Sequence, residues 1–185
     1  MEKWVVTAKK ADFQGIGRKY GIDPVIARII RNRDITGDEA IEEYLNGTLA
    51  DIPSWKLLKD IDKAVEIISG KIDAGTKMRI IGDYDIDGVT ATYILLKGFK
   101  RLGANVDTYI PDRVADGYGI HDHLIKKAME DGIDTIVTCD NGISASSQIT
   151  YAKELGMTVV VTDHHEVPFT DTEEGRTYIL PPADA

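Results

Sequence analysis

The chain has 185 residues, of which 22 are basic and 31 acidic, for a formal net charge of −9; this length fits one ordinary domain, or one domain with a smaller appendage. Hydrophobic residues make up 43% of the sequence, enough for a packed core, so disorder is not the default, and no apolar run approaches the roughly 18 residues of a membrane span. A single cysteine, Cys139, excludes an intrachain disulfide and a cysteine-rich zinc site, the amino terminus lacks an apolar secretion signal, and the acidity argues against an extended basic nucleic-acid surface. The expectation is a soluble, cytoplasmic protein.

The charge is unevenly placed. Residues 1–77 hold 13 basic and 13 acidic side chains, whereas residues 78–185 hold 9 and 18 and so carry the whole excess. The first stretch reads as a helical amino-terminal region. Pro24 suits a first helical turn, ahead of the apolar ladder Val25, Ile26, Ile29 and Ile30. Thr36 and Glu39 have the spacing of a capping box for a second helix that ends near Leu45, with Asn46-Gly47 as its stop. A third helix opens at about Asp60, runs Ile61, Val65, Ile68 and Ile72 along one face, and closes at Gly75. Trp4 and Trp55 are expected to anchor a core or an interface. No cluster of chemically useful residues occurs here, and the region reads as an appendage.

Residues 78–185 alternate between two patterns. Short β-branched runs occur at Arg79–Ile81, Val106–Ile110, Thr135–Thr138, Thr158–Thr162 and Thr177–Leu180. Helical stretches lie between them at Val89–Leu102, Asp122–Asp131 and Ala145–Leu155, and Gly103, Gly132 and Gly156 each stop a helix before the next strand. Strand–helix–strand at this spacing predicts an α/β domain, a largely parallel sheet flanked by helices. Such sheets carry their functional groups at the carboxyl ends of the strands.

The polar residues fall where that rule puts them. The first strand runs into Gly82-Asp83-Tyr84-Asp85-Ile86-Asp87-Gly88, the third into Cys139-Asp140-Asn141-Gly142, and the fourth into Asp163-His164-His165-Glu166. A carboxylate cluster beside an apolar sheet is costly unless a cation joins it, and these three segments contain no lysine or arginine. A divalent metal is the natural partner, and mixed Asp and His ligation suits Mn²⁺ or Mg²⁺. Two ions bridged by a shared carboxylate would fit phosphoryl chemistry.

Each segment also has a plainer reading. Asp-x-Asp-x-Asp-Gly opens calcium-binding EF-hand loops, but that pattern needs a glutamate where this chain has Ile94, and a strand precedes the motif here. One of Asp83, Asp85 and Asp87 is expected mainly to cap the following helix. Asp140-Asn141-Gly142 alone is a common turn. Cys139 is expected to point into the sheet packing, and His121 and His123 to cap a helix or face solvent. Gly117-Tyr118-Gly119 reads as a loop with special backbone angles on the same face as the carboxylates. Arg113 in that loop either meets a phosphate or pairs with Asp112 or Asp116.

Taken together, Gly82–Gly88, Asp140-Asn141-Gly142-Ile143-Ser144 and Asp163-His164-His165 resemble motifs I, II and III of the DHH phosphoesterases. Ile81 stands four residues before Asp85, where other branches usually show a histidine. With Pro111-Asp112-Arg113, Asp116-Gly117-Tyr118-Gly119 and Arg31–Leu45, this looks like the RecJ-type branch, the single-strand-specific 5′→3′ exonucleases. The resemblance implies that Asp83, Asp85, Asp87, Asp140 and His164 bind Mn²⁺ or Mg²⁺, two ions in a full-length enzyme. It implies that His165 sits near the scissile phosphate or holds the site, that Asp163 orients the neighbouring imidazole, and that Arg113 assists. The implied reaction is in-line attack of a metal-activated water on single-stranded DNA in repair and recombination, releasing 5′-mononucleotides.

The resemblance also implies parts that are missing. The family places a motif IV aspartate, then a DHHA1 domain, beyond motif III, and the RecJ type adds an OB-fold for single strands. The chain is therefore expected to be a fragment, residues 78–185 being a DHH domain cut short and partnered by those domains in a longer protein, and to be inactive or nearly so alone. Two other functions remain open: hydrolysis of short oligonucleotides or cyclic dinucleotides, and an inactive DHH-like scaffold. A receiver domain, which also clusters aspartates at strand ends, would need a lysine at a later strand end that is not found here.

Overall fold

The computed structural model describes Lys3, residues 9–172 and residues 175–182; Trp4 lies outside the described residues. Two compact units are present, Met1–Leu58 and Lys59–Ala185.

The first unit is helical. Its first helix, α1 (Phe13–Tyr20), contains two glycines and was not evident from periodicity. It is fixed at its ends, where the Asp12 carboxylate accepts from the Gly15 N–H and Gly21 takes a left-handed conformation. α2 (Pro24–Asn32) starts on Pro24 as expected, capped by Asp23. Its buried residues are Ala27 and Ile30, whereas Val25, Ile26 and Ile29 are exposed, so most of the apolar ladder does not face a core. α3 (Asp38–Asn46) departs from expectation at its start. Gly37, at φ 85°, occupies the cap position with no side-chain bond, and the Thr36–Glu39 capping box does not form. A capping box occurs instead at Thr48 and Asp51, around the short 3₁₀ turn Leu49–Asp51. Trp55, in a second such turn, is exposed and does not anchor a core.

The second unit begins with α4 (Ile61–Asp73) and then alternates β1 (Lys77–Ile81), α5 (Ile86–Arg101), β2 (Asn105–Tyr109), α6 (Asp122–Glu130), β3 (Thr135–Cys139), α7 (Ser146–Glu154) and β4 (Thr158–Thr162). The four strands form one parallel sheet in the order β2-β1-β3-β4, with Ile80 opposite Thr108 and Val137, and Val137 opposite Val160. Alternation along the strands gives the sheet two apolar faces. On one, Ile81, Ile136 and Val159 pack with Ile125 and Ala128 of α6 and Ile149 and Ala152 of α7. On the other, Met78, Ile80, Val137, Cys139 and Val160 pack with Leu95, Leu96 and Phe99 of α5 and with Ile67, Ile68 and Ile72 of α4. Those α4 residues explain why the compact unit begins before residue 78, the boundary read from charge and pattern: the helix completes the sheet's second face.

The last predicted strand is real but differently used. β6 (Gly175–Tyr178) pairs antiparallel with β5 (Phe169–Thr172), away from the main sheet. The β-branched run signalled a strand; it could not signal the partner.

One charged side chain is buried within the sheet layers. Arg79 on β1 makes two hydrogen bonds of 2.8 Å to the Asp107 carboxylate, directly across on β2, and a third of 2.9 Å to Asp131 after α6. Both carboxylates are partly exposed and can rehydrate when the guanidinium is removed, which limits the penalty to the lost charge-assisted bonds. Arg79→Met is therefore expected to destabilise the protein by about 2 kcal/mol in urea denaturation, with no change in metal binding at the opposite end of the strands.

Candidate metal centre

Three loops at the carboxyl ends of β1, β3 and β4 build the site. Beyond β1, the Asp85 carboxylate accepts from the Gly88 N–H at 3.0 Å and so caps α5, the role expected of one motif I aspartate. Gly88 lets the helix start this close to the strand end: a Cβ there would stand 2.7 Å from the Asp83 main-chain oxygen. Asp83 is 1% exposed, and its Oδ1 has no hydrogen-bond partner. Asp87, in the first turn of α5, is exposed.

Beyond β3, Asp140 adopts a left-handed backbone, φ 61°, and is 7% exposed. The next residue locks the turn. The Asn141 side-chain amide donates to the main-chain oxygens of Ile81 and Cys139, at 3.1 and 2.9 Å, tying the end of β1 to that of β3. In the sequence Asn141 reads only as part of a turn; its complete burial is visible only in three dimensions. Cys139 points into the packing between the sheet and α5, 3.3 Å from Thr92 Oγ1, and burial pushes its thiol pKa up.

Beyond β4, the Asp163 carboxylate is buried and accepts from four donors. Oδ1 accepts from the His164 and His165 main chains at 2.7 and 3.1 Å and from His165 Nδ1 at 2.7 Å, while Oδ2 accepts from the Ile143 N–H at 2.9 Å. Burial opposes its charge, but the donors from Ile143, His165 and His164 outweigh it and hold the carboxyl below its usual range. The bond to Asp163 in turn raises the His165 pKa. His164 turns the other way, its Nε2 2.8 Å from Asp140 Oδ1 and 3.9 Å from Asp87 Oδ2.

Two overlapping ligand groups result. Asp83, Asp85 and Asp140 each offer an oxygen within 4.8 Å of the others, and Asp140, His164 and His165 do the same with one oxygen and two ring nitrogens. Asp140 belongs to both. Asp87 stands outside these groups, but it approaches His164 and lies close enough to Asp85 and Asp140 to act on their charges. His165, which the resemblance puts near the scissile phosphate or in a role that holds the site, stands here among candidate ligands. Burial, only partly offset by the His164 bond, raises the Asp140 carboxyl, and the charges of Asp87 and Asp85 add to it. In contrast, the Gly88 cap bond keeps the Asp85 carboxyl low. A buried oxygen without a donor, in a cluster of oxygens and imidazoles, fits a hard or borderline divalent cation.

The loop after β2 borders this centre. Arg113 pairs with neither aspartate considered for it. Asp112 accepts from the Val114 and Ala115 N–H groups, and Asp116 from the Asp112 N–H, with His123 Nε2 at 2.8 Å. The Arg113 guanidinium instead lies over the Tyr84 ring of motif I, 5.2 Å from its centroid. His121 holds the cap position of α6 without a side-chain cap bond. Tyr118, which no sequence signal assigned to the site, reaches Asp140 and His165; burial and the surrounding carboxylates push its pKa up to about 12, so it remains a hydrogen-bond donor.

A parallel α/β domain whose three strand ends share a carboxylate–imidazole cluster defines a class of α/β domains with a candidate divalent-metal centre. The family described as "DHH family, N-terminal domain" matches residues 77–185, and the chain belongs to it. The chain is 37% identical over 145 residues to the single-stranded-DNA-specific exonuclease RecJ of Salmonella typhimurium, a match covering 78% of this chain and 24% of that protein. It is 33% identical over 180 residues to RecJ of Bacillus subtilis, covering 97% and 23%. Among solved structures, an exonuclease RecJ bound to manganese matches with 34% identity and a TM-score of 0.61, over 74% of this chain and 32% of that one. RecJ of Thermus thermophilus in complex with Mn²⁺ matches with 27% identity and a TM-score of 0.57, over 93% and 22%. The chain thus spans about a quarter of the length of the curated relatives it matches.

The two shifted carboxyls have opposite consequences for the metal-free protein. Asp140, raised in the fold, lowers stability as pH climbs through its folded pKa. Asp163, depressed, contributes stability that is complete above the unfolded carboxylate range and lost as pH falls through its folded pKa. In EDTA at neutral pH, Asp140→Asn is expected to raise stability by about 1 kcal/mol, a few degrees in Tm, since asparagine tolerates the left-handed backbone. Asp163→Asn is expected to lower it. Paired thermal melts check both directions.

Proposed function

We propose that this chain is the metal-binding part of a 5′→3′ exonuclease that hydrolyses single-stranded DNA in repair and recombination. The observation that carries this reading is the sharing of Asp140 between two ligand groups. It is supported by the likeness to proteins named as single-stranded-DNA-specific exonucleases, two of them solved with manganese.

Asp83, Asp85 and Asp140 would hold one divalent ion, Mn²⁺ or Mg²⁺, and Asp140 with His164 a second, with Asp87 at the edge of the pair. When bound, such ions supply Lewis acidity toward the phosphate and a nucleophilic hydroxide at neutral pH. Asp163 holds His165 by Nδ1, which leaves Nε2 available at the site mouth for a phosphate oxygen or an ion. Arg113, seated on Tyr84, is placed to meet a phosphate of the strand. No helix among the described residues is long and apolar enough to cross a membrane, and the free, buried cysteine fits our placement of the protein in the cytoplasm. In the longer protein, motif IV, DHHA1 and OB-fold parts would complete the site and grip the strand.

Crystals soaked in Mn²⁺ test the reading. Anomalous peaks are expected beside Asp85, Asp140 and His164 and should vanish in Asp140→Ala; a parent protein with no peak there would overturn the assignment. The isolated 185-residue chain is expected to release few or no mononucleotides from long single-stranded DNA. A rate matching that of full-length relatives would show that the other parts are dispensable.

A further inference from the structure

Gly117 and Gly119 both lie at positive φ, 79° and 86°. The chain therefore turns on either side of Tyr118 and presents its ring toward the strand ends. The Tyr118 hydroxyl lies 3.3 Å from the main-chain oxygen of Asp140, to which it donates. It is also 3.2 Å from His165 Nδ1 and 3.4 Å from Nε2. The two rings meet edge to face, their centroids 5.7 Å apart at 71°.

These contacts answer a mechanical need. The His165 side chain is 45% exposed, and its bond to Asp163 fixes only one ring atom. One bond at Nδ1 leaves the imidazole free to swing about that point. The single hydrogen of the Tyr118 hydroxyl goes to Asp140, so toward His165 its oxygen accepts, sharing the Nδ1–H with Asp163, while the tyrosine ring meets the imidazole edge to face. The same hydroxyl holds the carbonyl of Asp140, whose left-handed backbone costs a non-glycine residue roughly 1 kcal/mol and carries the carboxylate common to both ligand groups. One O–H group thereby ties the loop after β2 to the ends of β3 and β4.

We infer that Tyr118 is a positioning residue: its hydroxyl fixes the His165 imidazole and the Asp140 main chain, so that the ligand group Asp140–His164–His165 is assembled before a cation or phosphate arrives. The inference deepens the metal-centre reading and rests on it only for metal affinity; the orientation of His165 is testable without metal.

The experiment uses the whole 185-residue protein labelled with ¹⁵N-histidine. Its four imidazoles are followed by long-range ¹H–¹⁵N correlation in EDTA, and Mn²⁺ affinity is then measured by titration calorimetry. In the parent, His165 should be a single species protonated at Nδ1. Tyr118→Phe keeps the ring and removes the hydroxyl. It should shift and broaden the His165 nitrogens, leave His121 and His123 unchanged, and weaken Mn²⁺ binding roughly tenfold. Tyr118→Leu removes the ring as well and should disturb His165 further. Unmoved His165 signals in Tyr118→Phe would overturn the inference, including the case in which only Tyr118→Leu disturbs them, since ring packing would then suffice. Shifted His165 signals with unchanged Mn²⁺ affinity would support the orientation and overturn its link to the ligand group. A parent that binds no Mn²⁺ defeats the metal reading, while the imidazole signals still decide the role of Tyr118.

Discussion

The second unit is organised around the repulsion among Asp83, Asp85 and Asp140, three carboxylates with oxygens within 4.8 Å of one another at the end of an apolar sheet. Like charges this close oppose folding unless a cation or fixed dipoles offset them. Among the described residues, the hydrogen bonds of this centre recruit two imidazoles and no lysine or arginine. What holds the carboxylates together is covalent and topological. Adjacent parallel strands end side by side, Asn141 bolts β1 to β3, and the helix start at Asp85 supplies backbone N–H groups that favour negative charge. The sheet and its two packed faces provide the stability against which this local strain is set.

Different aspartates are stabilised for different tasks, and the environment shows which. Asp163 has four donors, two of them main-chain N–H groups of the histidines and one the His165 ring, so it is suited to holding histidines. Asp83 is equally buried yet has an oxygen with no donor at all, which suits it to receive an ion. The same side chain thus takes opposite roles within one site because one loop offers N–H groups and the other withholds them.

Much of this was legible in the sequence because it is encoded locally. Alternating β-branched runs, helix-stopping glycines and the placement of Asp83, Asp140 and His164 after strands are all one-dimensional signals, and the parallel sheet follows from them. The rest depends on partners distant in the chain. The run ending at Tyr178 has strand character, but pairing with Phe169–Thr172 rather than with the main sheet is a tertiary choice. Thr36 and Gly37 compete for one cap, and the chain geometry at φ 85° favours the glycine. The Arg113–Tyr84 contact joins residues 29 positions apart, and Tyr118 reaches His165 across 47. The glycines around Tyr118 marked an unusual loop, but nothing in their spacing named its target.

The net charge of −9, which at first argues against a nucleic-acid partner, acquires a direction in the fold. α5, α6 and α7 start near the strand carboxyl ends and finish at the other pole, and their last turns carry Lys100, Arg101, Lys127 and Lys153. Lys77, at the amino end of β1, adds to that pole, where Glu130, Asp131 and Glu154 also lie. The lysines and arginine at the helix ends complement the helix dipoles, while Asp83, Asp85, Asp87 and Asp140 make the functional pole acidic, with Arg113 at its rim. A polyanion approaching that pole meets repulsion until divalent cations neutralise the carboxylates. On the proposed function, ion occupancy would therefore come ahead of phosphate binding. A site whose ligands are held in place beforehand favours that order, because only the ion then has to lose freedom when it binds.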